Sequence, residues 1–452
     1  MNYFQHFRAV LLLGLPLIGS HLAQMAVRLV DAIMLGRYET DALAASILAG
    51  AFYFAIFIMG AGFSFAVMPM VAEAYAKNDG LRIRRVTRMG MWLSVIYATV
   101  FLPAMIWSDP LLRGMKQDPD LARAAQEYLR IAGFGLFPSL LVMALKNYLA
   151  AIERTAPILY LTVAGVFVNA GLNYLFIFGS WGFPELGLRG AAIASVLTEV
   201  LTFIAMAIFV ARAPGCREHT IFVRFWKRDP EAMGEVFRLG WPIGLTNLAE
   251  SGMFSASAII CGLVGKLPLV AHGIAIQITV MTFMVHMGLS QAATVRVGNA
   301  LGRKDWEGMR RGAWAAGGLS LGMVAATMIL FVVAPELLIT GFLNPDAPDR
   351  ERVIALGSGL LLVAAVFQLV DAGQVMFLGL LRGVQDARMP LIFTLLSYWA
   401  VGIPMSYVFG ITLGYGAEGV WSGMVVGLAL ATLSLGLRWR SKLAGFQRMK
   451  TT

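Results

Sequence analysis

The sequence predicts an all-α polytopic membrane protein of twelve transmembrane helices, arranged as two pseudo-symmetric six-helix lobes. Three observations carry that prediction. Of the 452 residues, 58% are hydrophobic and 14% charged, whereas a soluble protein is about 25% charged. Residues 42–72, 155–184, 267–295 and 389–417 contain no charge at all, and each stretch exceeds the ~20 apolar residues that a spanning helix needs. The pattern around Pro16 returns around Pro242, an offset of 226. The apolar runs do not alternate, which excludes an outer-membrane barrel. A soluble enzyme, a nucleic-acid binder and a disordered chain are excluded with it.

Apolar runs bounded by charge, Gly or Pro place the helices at 9–36, 46–76, 88–108, 127–151, 156–179, 187–211, 237–264, 268–300, 312–334, 353–381, 389–412 and 418–437. The first continues apolar from Val10 to Leu35 without a small-residue cleavage site, so a retained helix is expected rather than a signal peptide. Net charge is +10, and its placement is informative. The N-terminus, the loops Lys77–Arg88 and Arg303–Arg311, the segment Arg212–Arg238, the tail and nearby helix ends hold 26 of the 36 Lys and Arg residues. The other side holds nine, and Arg28 lies within a helix. By the positive-inside rule both termini are cytoplasmic, and the basic excess is a topology signal with no nucleic acid implied. Cys216 lies in a basic segment and Cys261 in an apolar run, so no disulfide is expected.

The repeat extends beyond the prolines. Ala74–Asp79 matches Ala300–Asp305 at the same offset of 226, and Glu153 and Pro157 match Asp386 and Pro390 at 233, as Tyr174 matches Tyr407. Two six-helix halves of one orientation explain this, because six crossings return the chain to its starting side. The organisation is an N-terminal lobe at 1–212, a cytoplasmic basic linker at 213–236, and a C-terminal lobe at 237–452 with a basic tail. Such repeats are typical of secondary transporters, with sites near the midplane. Pro16 and Pro242 each free a carbonyl and weaken their helix, which fits a packing kink and a functional hinge equally.

Ionisable residues in mid-span are functional candidates, because burying them is costly. Asp31, Glu199, Glu250 and Asp371 qualify. Glu250 lies 12 residues from Arg238 and Asp371 11 residues from Arg382, so both sit roughly 17–18 Å from the cytoplasmic edge of one half. Two carboxylates at one depth could share a proton or a cation. Asp31 lies about 9 Å from the opposite edge. Arg28, at i−3 from Asp31, either pairs with it or points elsewhere. His21, His272 and His286 have no metal-ligand spacing and fit hydrogen-bonded core positions. Gln24, Asn169, Asn173, Asn247, Gln277 and Phe283 are weaker candidates for a substrate cavity, as is Glu199; the polar ones suit helix contacts as well.

Pro16, Gln24 and Asp31 closing in Met34-Leu35-Gly36, and Leu239-Gly240-Trp241-Pro242 followed by Glu250, form a distinctive series. Val270-Ala271-His272 through Val295-Arg296-Val297-Gly298 to Leu301-Gly302, then Asp371, Leu381-Arg382-Gly383, Asp386 and Pro390, complete it. In this order the chain resembles the multidrug and toxic compound extrusion (MATE) transporters of the bacterial NorM-like branch, from about residue 8 to 440. The resemblance implies export of amphipathic, mostly cationic compounds coupled to Na⁺ or H⁺ entry by alternating access. Asp31 then matches the first-lobe acid of proton-driven release, and Glu250 and Asp371 match the second-lobe acids of cation binding, which would hold Na⁺ if that is the coupling ion. Arg28 departs from the family's small or apolar residue and His286 from its frequent proline, so both are candidate modulators. A bacterial inner-membrane location is implied, with xenobiotics and the bilayer as partners, no obligate protein partner, and no cofactor beyond the coupling cation.

The alternative cargo is a lipid-linked saccharide, as in flippases of related fold, but the candidate charges here are mostly acidic. No GxxxxGK[ST] phosphate loop and no HExxH occurs, so neither direct ATP drive nor a metal-dependent intramembrane enzyme is supported.

Overall fold

The computed structural model describes residues 3–343 and 349–451. Its twelve spanning helices are α1 (Tyr3–Tyr38), α2 (Thr40–Ala76), α3 (Gly80–Ile106), α4 (Pro119–Ala151), α5 (Ala156–Phe178), α6 (Gly187–Arg212), α7 (Pro230–Val264), α8 (Lys266–Gly302), α9 (Trp306–Val333), α10 (Arg350–Gly383), α11 (Arg388–Thr412) and α12 (Gly416–Arg448). No strand forms among the described residues. The fold is all-α, with the number of spans that the apolar runs predict.

Several helices begin earlier than hydropathy predicts, and the reason is local. Asp79 accepts from the backbone N–H of Arg82 at 2.9 Å, Asp305 from Gly308 at 2.8 Å, and Asp229 from Ala232 at 3.1 Å. Asp118 caps α4 in the same way through Asp120 and Leu121. These caps satisfy amide groups that no helical carbonyl can reach, so each helix runs on past its apolar part. Hydropathy marks the bilayer-embedded stretch, and the cap marks the helix. Pro230 at the first turn starts α7 within the predicted linker, leaving residues 213–229 as the connection.

That connection is packed down. Tyr148 Oη and His219 Nδ1 lie 2.7 Å apart, and Trp92 Nε1 donates to the Phe225 carbonyl at 2.8 Å while its ring stacks on Phe225. Cys216 and Cys261 are both buried and unbonded.

The repeat is explicit in the backbone. Asn78 and Lys304, separated by 226, both take positive φ in turns with the same hydrogen bonds. At the second turn the positive-φ residues are Glu153 and Gln385, an offset of 232. The match of Glu153 to Asp386 at 233 is therefore one residue out at this turn. The left-handed residue fixes the register there, and one extra residue precedes Pro390.

Compactness divides the chain into residues 1–18 with 245–452, and residues 19–244. These cuts lie in α1 and α7, not in the linker that charge and composition single out. They also differ by 226, two residues beyond Pro16 and Pro242. Within the first unit the start of α1 packs on α8 and α9. Gly14 approaches Leu289, Ile18 approaches Gly288, and Phe7 approaches Gly318. Within the second unit the start of α7 packs on α2 and α3, with Gly240 on Phe63 and Gly244 on Gly62. Each of the α1–α8 contacts is an α7–α2 contact shifted by 226, and the glycine pair is required because a Cβ at Gly62 would strike the α7 backbone.

Candidate functional site

Both units hold mid-span acids among the described residues. In the unit 19–244, α1 carries Asp31 against α5 and α6. Asn173 donates through Nδ2 to Asp31 Oδ1, and again to Asn169 Oδ1 at 3.1 Å, while Ser195 donates to Asp31 Oδ2 at 3.4 Å. Asn169 and Asn173 lie one turn apart on α5, both buried, so a single helix face supplies the two amides. Tyr128 on α4 hydrogen-bonds Ser195 and lies in electrostatic range of Asp31. Tyr128 lies at the start of the predicted span 127–151, but an uncharged side chain there is not singled out by a search for mid-span charges.

Arg28 makes no ion pair with Asp31 among the described residues. Its guanidinium lies 5.9 Å from the centre of the Phe54 ring on α2. Of the two readings open from sequence, the arginine therefore points elsewhere. Glu199 belongs to a different group, hydrogen-bonded to Ser139 and in range of buried Lys146. Tyr53 donates to Ser139 at 3.2 Å, extending that group to α2. Lys146, which its place in sequence assigns to the helix edge, turns into the unit and supplies Glu199 with an opposite charge. Gln24 is partly buried and takes no part in the hydrogen bonds around Asp31.

In the unit 1–18 with 245–452, α7 and α10 bring Glu250 and Asp371 into one cluster. Gln374 Nε2 donates to Glu250 Oε1 at 3.0 Å, and Asp371 lies in electrostatic range of Glu250. Arg382 reaches in as well: its Nη2 donates to Asn247 Oδ1 at 2.7 Å, and its charge acts on Glu250. Tyr398 completes the group from α11, where residues Leu396–Gly402 form π-helical turns. Such turns occur often at functional sites because they re-aim a side chain that regular spacing would place elsewhere.

The two acids differ in their compensation. Glu250 has an amide donor and a nearby guanidinium. Asp371 is 1% exposed, and its Oδ1 has no hydrogen-bond partner. Gln368 Oε1, Gln374 Oε1 and Tyr398 Oη are likewise buried without partners. Unsatisfied buried oxygens are rare and costly. This set, all in one unit, has the oxygen chemistry that hard cations take. A metal-holding group of three or more His, Cys, Asp or Glu side chains is absent among the described residues.

His272 and His286 are both buried and hydrogen-bonded. Trp421 Nε1 donates to His272 Nδ1 at 3.0 Å beside the Phe367 ring, and His286 Nδ1 lies 2.9 Å from Ser320 Oγ. With no internal proline near His286, α8 runs unbroken from Lys266 to Gly302. Gln277 is exposed and Phe283 partly buried on the same helix, and neither joins the hydrogen bonds of the acid cluster.

A family model described as MatE matches residues 16–175 and 242–408, two copies that begin at the repeat-equivalent prolines. The chain is 41% identical over 438 residues to a probable multidrug resistance protein NorM of Agrobacterium fabrum, covering 97% of this chain and 94% of that protein. It is 42% identical over 435 residues to the protein of the same description from Rhizobium meliloti, covering 96% and 93%. Among solved structures, a MOP superfamily transporter from Pyrococcus furiosus shares the fold with a TM-score of 0.87 at 20% identity, over 98% of this chain and 97% of that one. Matches spanning both repeats and nearly the full length of bacterial relatives place this multi-pass membrane protein in the MatE family.

Proposed function

We propose that the chain is a secondary active multidrug exporter, which moves amphipathic, mostly cationic organic compounds outward by antiport against Na⁺ or H⁺. It works by alternating access in the bacterial cytoplasmic membrane with both termini in the cytoplasm. The observation that carries this reading is the uncompensated carboxylate of Asp371 among partnerless buried oxygens. A buried charge without a partner costs several kcal/mol, and binding a proton or Na⁺ relieves that cost. Glu250 is already balanced by Gln374 and Arg382, so it tunes the site while Asp371 takes the ion. Asp31, held by Asn173 and Ser195, supplies a second acid in the other unit. The multidrug resistance descriptions of the bacterial relatives support the cargo class.

An inward-moving cation yields about 2.3 kcal/mol per charge per 100 mV, plus its concentration gradient. The test is ethidium movement in proteoliposomes under a Na⁺ or an H⁺ gradient imposed separately. One gradient is expected to drive the dye, and Asp371→Asn to abolish the driven movement. Undiminished transport by Asp371→Asn overturns this assignment of the coupling site.

A further inference from the structure

The connection at 213–229 turns back toward the bilayer before it reaches α7. Three residues spaced four apart on one face of α3 hold it there. Arg84 Nη1 donates to Thr220 Oγ1 at 3.0 Å, Arg88 Nη1 to the Arg224 carbonyl at 3.0 Å, and Trp92 Nε1 to the Phe225 carbonyl at 2.8 Å. Eight helical residues separate Arg84 from Trp92, so the segment descends about 12 Å along α3 between Thr220 and Phe225. It then climbs again, because Asp229 pairs with Arg85. The lowest point lies at the membrane edge: Arg88 is the last charge of α3 before the apolar stretch 89–106, and Trp92 is one turn beyond it. At the repeat-equivalent depth of α9, 226 residues on from Arg88, Trp314 is 67% exposed, as tryptophans at headgroup level are.

The dip has a packed side and a bare side. Ile221 is buried and the Phe225 ring stacks on Trp92, whereas Val223 is 51% and Trp226 76% exposed. Arg224, Lys227 and Arg228 flank Trp226, all of them exposed. The nearby acids Asp229, Glu231 and Glu235 are engaged by Arg85 and Arg82. None of the three flanking cations forms an ion pair among the described residues. An exposed tryptophan ringed by unpaired cations at the depth of the cytoplasmic headgroups is complementary to an anionic lipid surface. The second repeat does not copy the arrangement, since the counterpart of Trp92 is Gly318, which packs on Phe7.

We propose that the dip at 223–228 is a binding surface for anionic phospholipids of the cytoplasmic leaflet. Trp226 and Val223 enter the boundary between headgroups and acyl chains, and Arg224, Lys227 and Arg228 take the phosphodiester oxygens of lipids that carry net negative charge. This goes beyond the efflux reading and does not depend on it, because lipid binding needs neither cargo nor gradient.

The full chain is released from nanodiscs of mixed phosphatidylcholine and phosphatidylglycerol, and the lipids it retains are counted by native mass spectrometry. Wild type is expected to retain phosphatidylglycerol in preference. Arg228→Gln should lower that preference about fivefold, the scale of one basic side chain at an anionic surface, and adding Arg224→Gln and Lys227→Gln should lower it further. Arg303→Gln with Lys304→Gln, exposed on the turn between α8 and α9, is the control for cytoplasmic charge in general and should leave the preference unchanged. No preference in wild type, no fall in the triple variant, or an equal fall per charge in the control overturns the surface. A spin label at Trp226→Cys reads the depth directly, because Cys216 and Cys261 are buried. The label is expected to be relaxed more by oxygen, which concentrates in the bilayer, than by a water-soluble nickel chelate. A label in open water in phosphatidylglycerol membranes overturns the seating. Soluble glycerol phosphate that raises the melting temperature as much as the lipid does would make this a free-phosphate site, and a dimer that buries the label would give the patch to a second copy; either result overturns the proposal.

Discussion

Asp371 and Glu250 share a cluster but not an environment, and their substitutions should separate. Asp371 is buried with an unsatisfied oxygen, so Asp371→Asn removes an uncompensated charge. Glu250 sits in the field of Arg382, so Glu250→Gln strands a buried guanidinium. Breaking a buried pair on one side costs about 3–5 kcal/mol, less here because Asn247 still accepts from Arg382. The expected outcome is a lower melting temperature for Glu250→Gln and an unchanged or higher one for Asp371→Asn, measured in detergent at neutral pH without Na⁺. Adding Arg382→Gln to Glu250→Gln should recover part of the loss. Equal destabilisation by both single variants would falsify the assignment of Arg382 to Glu250. The acids were legible in the sequence because a charge inside an apolar run has no ordinary explanation. Arg382 was not: sequence gives depth along a helix, and a long stem can carry its head well away from its own Cα. Tyr398 was hidden because spacing arguments assume regular α turns, and its segment is π-helical.

At the scale of elements, the first turns of α7 are clasped to α3. Arg85 bonds Asp229 at 2.5 Å and Glu231 at 2.6 Å, and Arg82 bonds Glu235 at 3.0 Å. The repeat reproduces the position with different chemistry: Arg311 lies over the Tyr3 ring at 5.7 Å, and both partners are shifted by 226 from Arg85 and Asp229. One crossing is therefore ionic and the other rests on a ring. Arg85→Ala should loosen the α7 start by about 1 kcal/mol, the worth of a partly exposed network, and raise exchange of the amides at 233–240 roughly fivefold. Arg85 also holds the Asp229 carboxyl below the usual carboxylate range. A carboxyl lowered in this way contributes fully above its unfolded value near 4 and loses its contribution only as pH falls through the lower folded value. Protection of those amides, corrected for intrinsic rates, should accordingly be equal at pH 7 and pH ~5 and fall below pH ~3. A drop already complete at pH ~5 would contradict the clasp. The twelve spans were readable from hydropathy; their true ends were written in Asp79, Asp118, Asp229 and Asp305, caps that a scan for apolar runs passes over.

For the whole molecule, the division at residues 18 and 244 changes what a half of the chain is. Composition suggests two lobes joined by a linker, each complete in itself. The contacts assign otherwise, because residues 1–18 complete the unit built from 245–452, and residues up to 244 complete the unit that begins at 19. Hydropathy could not show this, since the start of α1 is equally apolar whichever helices it packs on. Only the glycines that permit close approach, Gly62 facing Gly244 and Gly288 facing Ile18, carried a trace of it. The exchange has a direct consequence for folding. A chain cut between Pro214 and Gly215 leaves an N-terminal piece without the α7 segment that its unit needs, and a C-terminal piece without the start of α1. Each piece expressed alone should be degraded or aggregate, with partner surfaces on α2, α3, α8 and α9 uncovered. Co-expressed, the pieces should co-purify and regain ethidium transport, because every packed segment is again present and only the linker is broken. Affinity purification through a tag on one piece, followed by a single or double melting transition, checks the point. Two pieces that are each stable alone would mean that the swapped segments contribute little, and that the lobes drawn from composition are the true folding units. One shared transition in the co-purified pair is the outcome that the observed division requires.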